Sequence, residues 1–254
     1  MTAFLLFTVY APLSSWGDIT VGETRGSWDR PSRSAIFGMI AAGLGIDRGN
    51  QQSHDDLDAG YGFAVRLDVP GVPLVDYQTA QTIAASAIKK HRPTTRAALL
   101  ECADPETILS RRWYRQDALA TVCLWEHEAA KWKLEEIATA LKQPVYVLYA
   151  GRKANVLGLP LSPVVVEAST LNEAFKRHSA IPDGLSEFRR RLIPKGPNRG
   201  RVEIAHDPCD GFETGLGQLR REVRRDAAAQ RSRWQFAERT VEVGIVESSD
   251  EDTL

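Results

Sequence analysis

Arg111-Arg112-Trp113-Tyr114-Arg115 interleaves three guanidiniums with two aromatic rings. In such a tract cations can neutralise phosphates while rings stack on unpaired bases. A strand entrance with Trp113 buried and the arginines in water would use the same residues. A second cationic cluster opens a helix. In "DRPSRSAIFGMIAAGLGIDR" (29–48), Ser32 is suited to be an N-cap and Gly45 to a left-handed C-cap, and Ile36/Phe37, Ile40/Ala41 and Leu44 recur at helical spacing. Helix N-termini carry partial positive charge and favour Asp or Glu, yet Arg30 and Arg33 flank this first turn. Free N–H groups, the hydroxyls of Ser32 and Ser34 and the two guanidiniums would together suit a phosphate. A capped helix with solvated arginines is the plainer reading. Gly38 and Gly43 each cost roughly 1 kcal/mol relative to alanine in a helix body, so close packing should compensate. The third cluster is "YAGRK", where Gly151 would let a nucleic-acid backbone approach Arg152 and Lys153; an ordinary turn with exposed charges is equally compatible.

Tyr77, Lys89, Lys90 and His91 are the residue types a metal-independent ribonuclease needs, a base for a 2′-hydroxyl and an acid or cation for the leaving oxygen. His91 lies in the basic run Lys89-Lys90-His91-Arg92 with no evident residue to orient it. A solvated or phosphate-contacting histidine is the simpler reading. Phosphate-loop, HExxH, GxSxG and paired CxxC signatures are absent. "GLGIDRG" resembles a nucleotide loop but sits at a helix end, where a C-cap is expected. Three scattered cysteines and five scattered histidines form neither a disulfide framework nor a metal pattern, so no metal or cofactor is expected. A reducing, cytoplasmic setting fits best. The run "AFLLFTVYAPL" is too short to span a bilayer and lacks the features of a signal peptide.

The elements that must carry these groups can be read from patterning. Residues 3–10, "YGFAVRLDV" (61–69), "LATVCLW" (119–125) and "PVYVLYAG" (144–151) read as strands, and "KWKLEEIATAL" (131–141) as a helix. With the helix from Ser32 this is strand–helix–strand–strand–helix–strand, the split βαβ order of an α+β, ferredoxin-like (RRM-like) domain over residues 1–150. Residues about 76–115 exceed what that fold requires and read as a hairpin-like thumb insertion. Residues 151–254 read as a smaller, irregular β-rich part with a strand in "VVVEA", a helix in "LNEAFKRH", a basic irregular stretch "FRRRLIPKGPNRGRVEIAHDP" and a last strand in "RSRWQFAERTVEV". The chain of 254 residues has a net charge of −1, which argues against indiscriminate coating of nucleic acid. Residues 88–115 nevertheless hold seven Lys/Arg against three Asp/Glu, residues 176–233 fourteen against eight, and the chain ends in acidic "ESSDEDTL". A localised polyanion site fits this distribution.

"APLSSWG", "RPSRSAIFGMIAAGLGIDR", "DYQT", "WYRQDALATVCLW" and "YAGRK", in this order over residues 3–155, resemble the type I-E branch of the fifth CRISPR-associated protein family, within the repeat-associated mysterious protein superfamily. "RSRWQF" resembles it more weakly. The resemblance implies a ferredoxin-like domain with a protruding thumb, in a subunit that binds and caps the 5′ handle of CRISPR RNA. It implies contacts with the backbone subunit CasC and the large subunit CasA, target DNA engaged through the complex, and precursor cleavage left to a separate endonuclease subunit, CasE. In type I-C systems the fifth-family protein itself cuts the precursor, which is the alternative. On the handle-binding reading, the RNA-binding residues are expected to be Arg25, Arg30, Ser32, Arg33, Ser34, Tyr77, Gln78, Thr79, Arg111, Arg112, Trp113, Tyr114, Gly151, Arg152 and Lys153. Lys89, Lys90, His91 and Arg92 form the basic tract of the thumb.

Overall fold

Phe4 to Tyr10 are all buried, with Leu5, Phe7 and Val9 in one apolar cluster and Phe4 and Leu6 in another. Alternate side chains of a strand point to opposite faces, so a strand covered on both sides reads as a continuous apolar run. The computed structural model describes residues 1–18, 20, 22–101, 105–178, 186–192, 201–209, 211–230 and 235–247. Along the chain lie β1 (Thr2–Ser14), β2 (Trp16–Gly17), β3 (Thr24–Arg25), β4 (Ser27–Trp28), α1 (Arg33–Gly43), α2 (Gln51–Gly60), β5 (Tyr61–Val69) and β6 (Val72–Thr82). Then follow α3 (Ala85–His91), α4 (Arg96–Glu101), β7 (Glu106–Glu126), α5 (Leu134–Lys142), β8 (Val164–Ala168), α6 (Leu171–Lys176) and α7 (Ser186–Leu192). The last strands are β9 (Arg201–His206), β10 (Gly217–Gln230) and β11 (Gln235–Glu247).

One mixed α/β architecture results, built on a large sheet in the order β10-β11-β9-β5-β7-β1-β8, with every neighbouring pair on that path antiparallel. Helices α1 and α5 cover one face, burying Ile36, Phe37, Ile40, Leu134, Ile137 and Leu141 against Leu5, Phe7 and Val9. The glycines expected to permit close packing behave differently. A Cβ on Gly43 would lie 3.1 Å from the Ala140 carbonyl oxygen of α5, whereas Gly38 faces open space. Gly45, at φ +73°, turns the chain out of α1. Leu171, Ala174 and Phe175 of α6 cover the other face.

Several sequence-level expectations need correction. Residues 144–151 are not a strand; Val145, Tyr146, Val147 and Tyr149 are exposed, and the only ladder contact described there is the isolated bridge Tyr149–Val156. The strand beside β1 is β8, from "VVVEA". An apolar run was mistaken for a buried one. Helix α2 was not anticipated, because only His54, Leu57 and Gly60 of it are buried and apolar periodicity is correspondingly weak. "RVEIAH" within the stretch read as irregular is β9, whose pairing with β5 makes the C-terminal strands continuous with the central sheet. Residues 193–200 and the acidic end at 248–254 lie outside the described residues.

The segment 72–116 forms a hairpin arm. β6 pairs with the first half of β7 from Val72–Gln116 to Thr82–Glu106, with α3 and α4 between the strands at the far end. β7 then continues into the central sheet, so one strand joins arm and body.

Candidate nucleic-acid interface

The first turn of α1 does meet an anion, and it comes from within the chain. Ser32 caps the helix, accepting from the Ala35 N–H at 3.3 Å. The free N–H of Arg33 donates to the Asp226 carboxylate of β10 at 2.9 Å. The Arg33 guanidinium donates to Asp58 at 2.9 Å and to Asp207, and to the carbonyl oxygens of Asp58 (2.7 Å) and Tyr61 (2.9 Å). It also lies over the Phe37 ring, 4.1 Å from its centroid. Arg30 is paired with Asp29 and Glu203, each at 2.9 Å. Hydrogen bonds from Arg220, together with the charge of Arg30 and against the effect of burial, hold the Glu203 carboxyl below its ordinary range. Both arginines are buried. Apart from Asp29, next to Arg30 in the chain, the carboxylates that neutralise them sit on or beside α2, β9 and β10, sequence-distant elements that no local reading could bring to this helix. Arg30 and Arg33 are therefore held as an internal ion-pair network rather than directed at solvent.

Ser32 and Ser34 instead line a groove of about 610 Å³. Its walls combine the hydroxyls of Ser15, Ser32 and Ser34, the rings of Tyr146, Tyr149 and Phe236, and the amides of Gln230 and Gln235, with Asp47 and Arg48 contributing one charge of each sign. Rings, hydroxyls and amides with little net charge suit a nucleobase and its ribose better than a phosphate. Tyr146, Phe236, Gln230 and Gln235 were not anticipated from sequence. The two tyrosines lie in the run mistaken for a strand, and Phe236 and the glutamines reach the groove only through sheet pairing.

One wall of the groove is fixed by Gly151. Its φ is +84°, and a Cβ there would fall 1.8 Å from the Ser15 carbonyl oxygen, so the backbones approach too closely for any side chain. Asn155, buried, latches the turn by donating from Nδ2 to the Ala150 carbonyl at 3.1 Å, while its N–H donates to the Arg152 carbonyl at 2.8 Å. Ser15 Oγ in turn donates to the Trp113 carbonyl at 3.2 Å, tying the groove to the arm.

Register decides how the basic aromatic tract is used. Tyr114 and Arg112 point to one face of the arm, opposite Leu74 and Asp76; Arg25 of β3 is the parallel partner of Arg112. The Arg152 guanidinium lies 4.4 Å from the Tyr114 ring centroid, and its Nη1 is buried without a hydrogen-bond partner. Arg25, Arg112, Arg152 and exposed Lys153 thus form a basic strip running from the arm to Gly151 and the groove. Gln78 shares this face and donates to Asp76 at 2.6 Å. The opposite face carries Val75 beside Trp113, Tyr77 beside Arg111, and Thr79 beside Leu109; the Arg111 guanidinium lies 5.7 Å from the Tyr77 centroid. Lys89, Lys90, His91 and Arg92 are exposed at the end of α3. Tyr77 sits back along β6, on a different element from His91, and no group of three metal-ligating side chains occurs among the described residues.

The profile of the CRISPR-associated protein family Cas5 (Cas5d) matches residues 4–242. The chain is 29% identical over 191 residues to the CRISPR system Cascade subunit CasD of Escherichia coli strain K12, covering 71% of this chain and 79% of that one. A structure titled "CRISPR RNA-guided surveillance complex" superposes with a TM-score of 0.62 at 26% identity, covering 96% of this chain and 90% of the other. One titled "Crystal structure of Cas protein" gives 0.58 at 25% identity, with 96% and 95% covered. A family match that runs through sheet, arm and C-terminal strands alike makes this chain a member of the Cas5 family of CRISPR-associated proteins.

Proposed function

We propose that this chain is the RNA-binding subunit of a type I-E Cascade complex, holding and capping the 5′ handle of the CRISPR RNA in the cytoplasm without cutting it. The observation that carries the reading is the junction at Gly151, where an aromatic groove of little net charge meets the strip Arg25–Arg112–Arg152–Lys153. An unstacked handle base would enter the groove while neighbouring phosphates follow the strip. The sheet path β5-β7-β1-β8 with α1 and α5 on one face is read as the ferredoxin-like split βαβ domain, and the 72–116 hairpin as the thumb. The thumb exposes Val75, Tyr77 and Trp113 together, apolar area that suits docking against the backbone subunit CasC, with the large subunit CasA nearby.

Incubation of the protein with labelled precursor RNA in EDTA tests this. Retention of repeat-derived RNA at full length is expected, and Arg112→Ala/Arg152→Ala should weaken it by about 2–4 kcal/mol, the scale of two charged contacts. Metal-independent cleavage abolished by Tyr77→Phe or His91→Ala would establish the processing ribonuclease in its place.

A further inference from the structure

A line of irregular residues crosses the sheet where the arm begins. In β7 it is Asp117, whose φ is +54°. On one side β1 pairs Ala11 with Ala118 and Leu13 with Gln116, which leaves Pro12 opposite Asp117. Proline has no N–H to give to a ladder. On the other side β5 ends with Val69 opposite Leu119, and β6 begins with Val72 opposite Gln116. Gly71, at φ +64°, therefore falls beside Asp117. A Cβ on Gly71 would lie 2.5 Å from the Gln116 carbonyl oxygen, which keeps that position bare. Neighbouring strands thus leave regular β geometry at one level, and a left-handed residue within a strand turns its course. The body lies on one side of this line and the arm on the other.

Asp117 is held in its conformation by a post from the body. The Tyr10 hydroxyl of β1 donates to Asp117 Oδ1 at 2.9 Å. Tyr10 is buried, and its ring meets Phe188 of α7 edge-on with 5.1 Å between centroids. Gly158 packs so near that a Cβ there would lie 2.6 Å from the same ring. Burial first, then the bond to Asp117 and its charge, push the Tyr10 pKa up to about 12, so the hydroxyl stays a donor near neutral pH. Glycine would adopt this backbone more easily, but aspartate adds the acceptor that Tyr10 needs.

The arm is a lever on this point. The β6–β7 ladder runs ten residue steps, from Val72–Gln116 to Thr82–Glu106. At about 3.4 Å per residue that is about 34 Å, so a turn of about 10° at the base moves the far end by about 6 Å. Packed side chains touch within about 4 Å, so such a turn breaks contact.

We propose that Asp117 is the positioning residue of the arm: held by the Tyr10 hydroxyl, it fixes the direction in which the arm leaves the sheet. It thereby presents the exposed face of Val75, Tyr77 and Trp113 to a second subunit. This rests on the Cascade reading only for the identity of that subunit.

The test uses the full chain with nitroxides on ketone-bearing residues introduced at Thr107 in the arm and Lys142 in the body, both exposed. Electron–electron double resonance then reads the distance between arm and body in the isolated chain. Wild type and Asp117→Asn, which keeps a tolerated left-handed residue and an acceptor, should give one narrow distribution. Asp117→Ala and Tyr10→Phe should shift its mean by about 6 Å or roughly double its width. The same two variants should capture the backbone subunit on the order of tenfold less well, whereas Asp117→Asn captures it normally. Tyr10→Phe keeps the ring between Gly158 and Phe188, so it tests the latch even where Asp117→Ala does not fold. An unchanged distribution in Tyr10→Phe would overturn the proposal, as would Asp117→Asn behaving like Asp117→Ala. Normal capture by variants whose arm has shifted would overturn it too. If the wild-type chain captured no backbone subunit, the Cascade reading would fall, while shifts in the isolated chain would keep Asp117 as the residue that positions the arm.

Discussion

The Arg33 guanidinium is bonded to Asp58, Asp207 and two carbonyl oxygens and stacked on Phe37, so its removal breaks a largely buried ion pair and leaves Asp207 with Arg239 as its remaining cation. Breaking such a pair costs about 3–5 kcal/mol, far more than loss of an exposed ion pair. Arg33→Ala should therefore lower the unfolding free energy measured in urea by that amount and leave the RNA affinity of the folded protein unchanged. Weakened affinity at unchanged stability would instead return Arg33 to the list of phosphate contacts. The residue types that draw attention in the sequence were the right ones, since arginines at a helix start do imply an anion. Whether that anion is a ligand or Asp226 depends on a strand almost two hundred residues later.

Among the elements, the seam between β1 and α6 has a titratable fastening. His178, just beyond α6, lies 3.2 Å through Nε2 from Thr8 Oγ1 of β1, in a buried position near Arg66 and Asp68. Burial, helped by the charge of Arg66 and opposed by Asp68, pushes its pKa down to about 4 from 6.5. The unfolded chain then binds the proton more readily than the folded one between these values, so stability is fully present above about pH 6.5 and is lost as pH falls towards 4. The loss should reach about 3 kcal/mol at most. His178→Gln, which keeps a hydrogen-bonding group, should flatten this part of the pH profile in chemical denaturation. A profile identical to wild type would show that other groups govern it. Element type was readable where burial and periodicity coincide, as in α1 and β5. It was misread at 144–151, where an apolar segment is exposed and shapes the groove.

For the whole molecule, β7 is the member that unites body and arm, pairing with β5 and β1 along the main path of the sheet and with β6 and β3 off that path. A two-stranded ribbon gains little from its own packing, which is why Val75 and Trp113 remain exposed on it. Val75→Ser/Trp113→Ser should leave thermal unfolding of the body nearly unchanged and reduce co-purification with the backbone subunit at least tenfold. Retained assembly would remove that face from the subunit contact. No described helix is long and apolar enough to cross a membrane.

The sequence by itself determined the strands and helices whose apolar spacing is dense, the Ser32 cap and the family resemblance carried by "RPSRS" and "YAGRK". Tertiary structure alone decided which cations are available. A charge is neutralised by whatever lies within a few ångströms, and apart from Asp29 the partners of Arg30 and Arg33 arrive from sequence-distant elements, whereas Arg112 and Arg152 make no ion pair among the described residues. Alternation along β7 then divided one basic aromatic tract between two surfaces, because register, which no linear spacing records, sets the direction in which each side chain points.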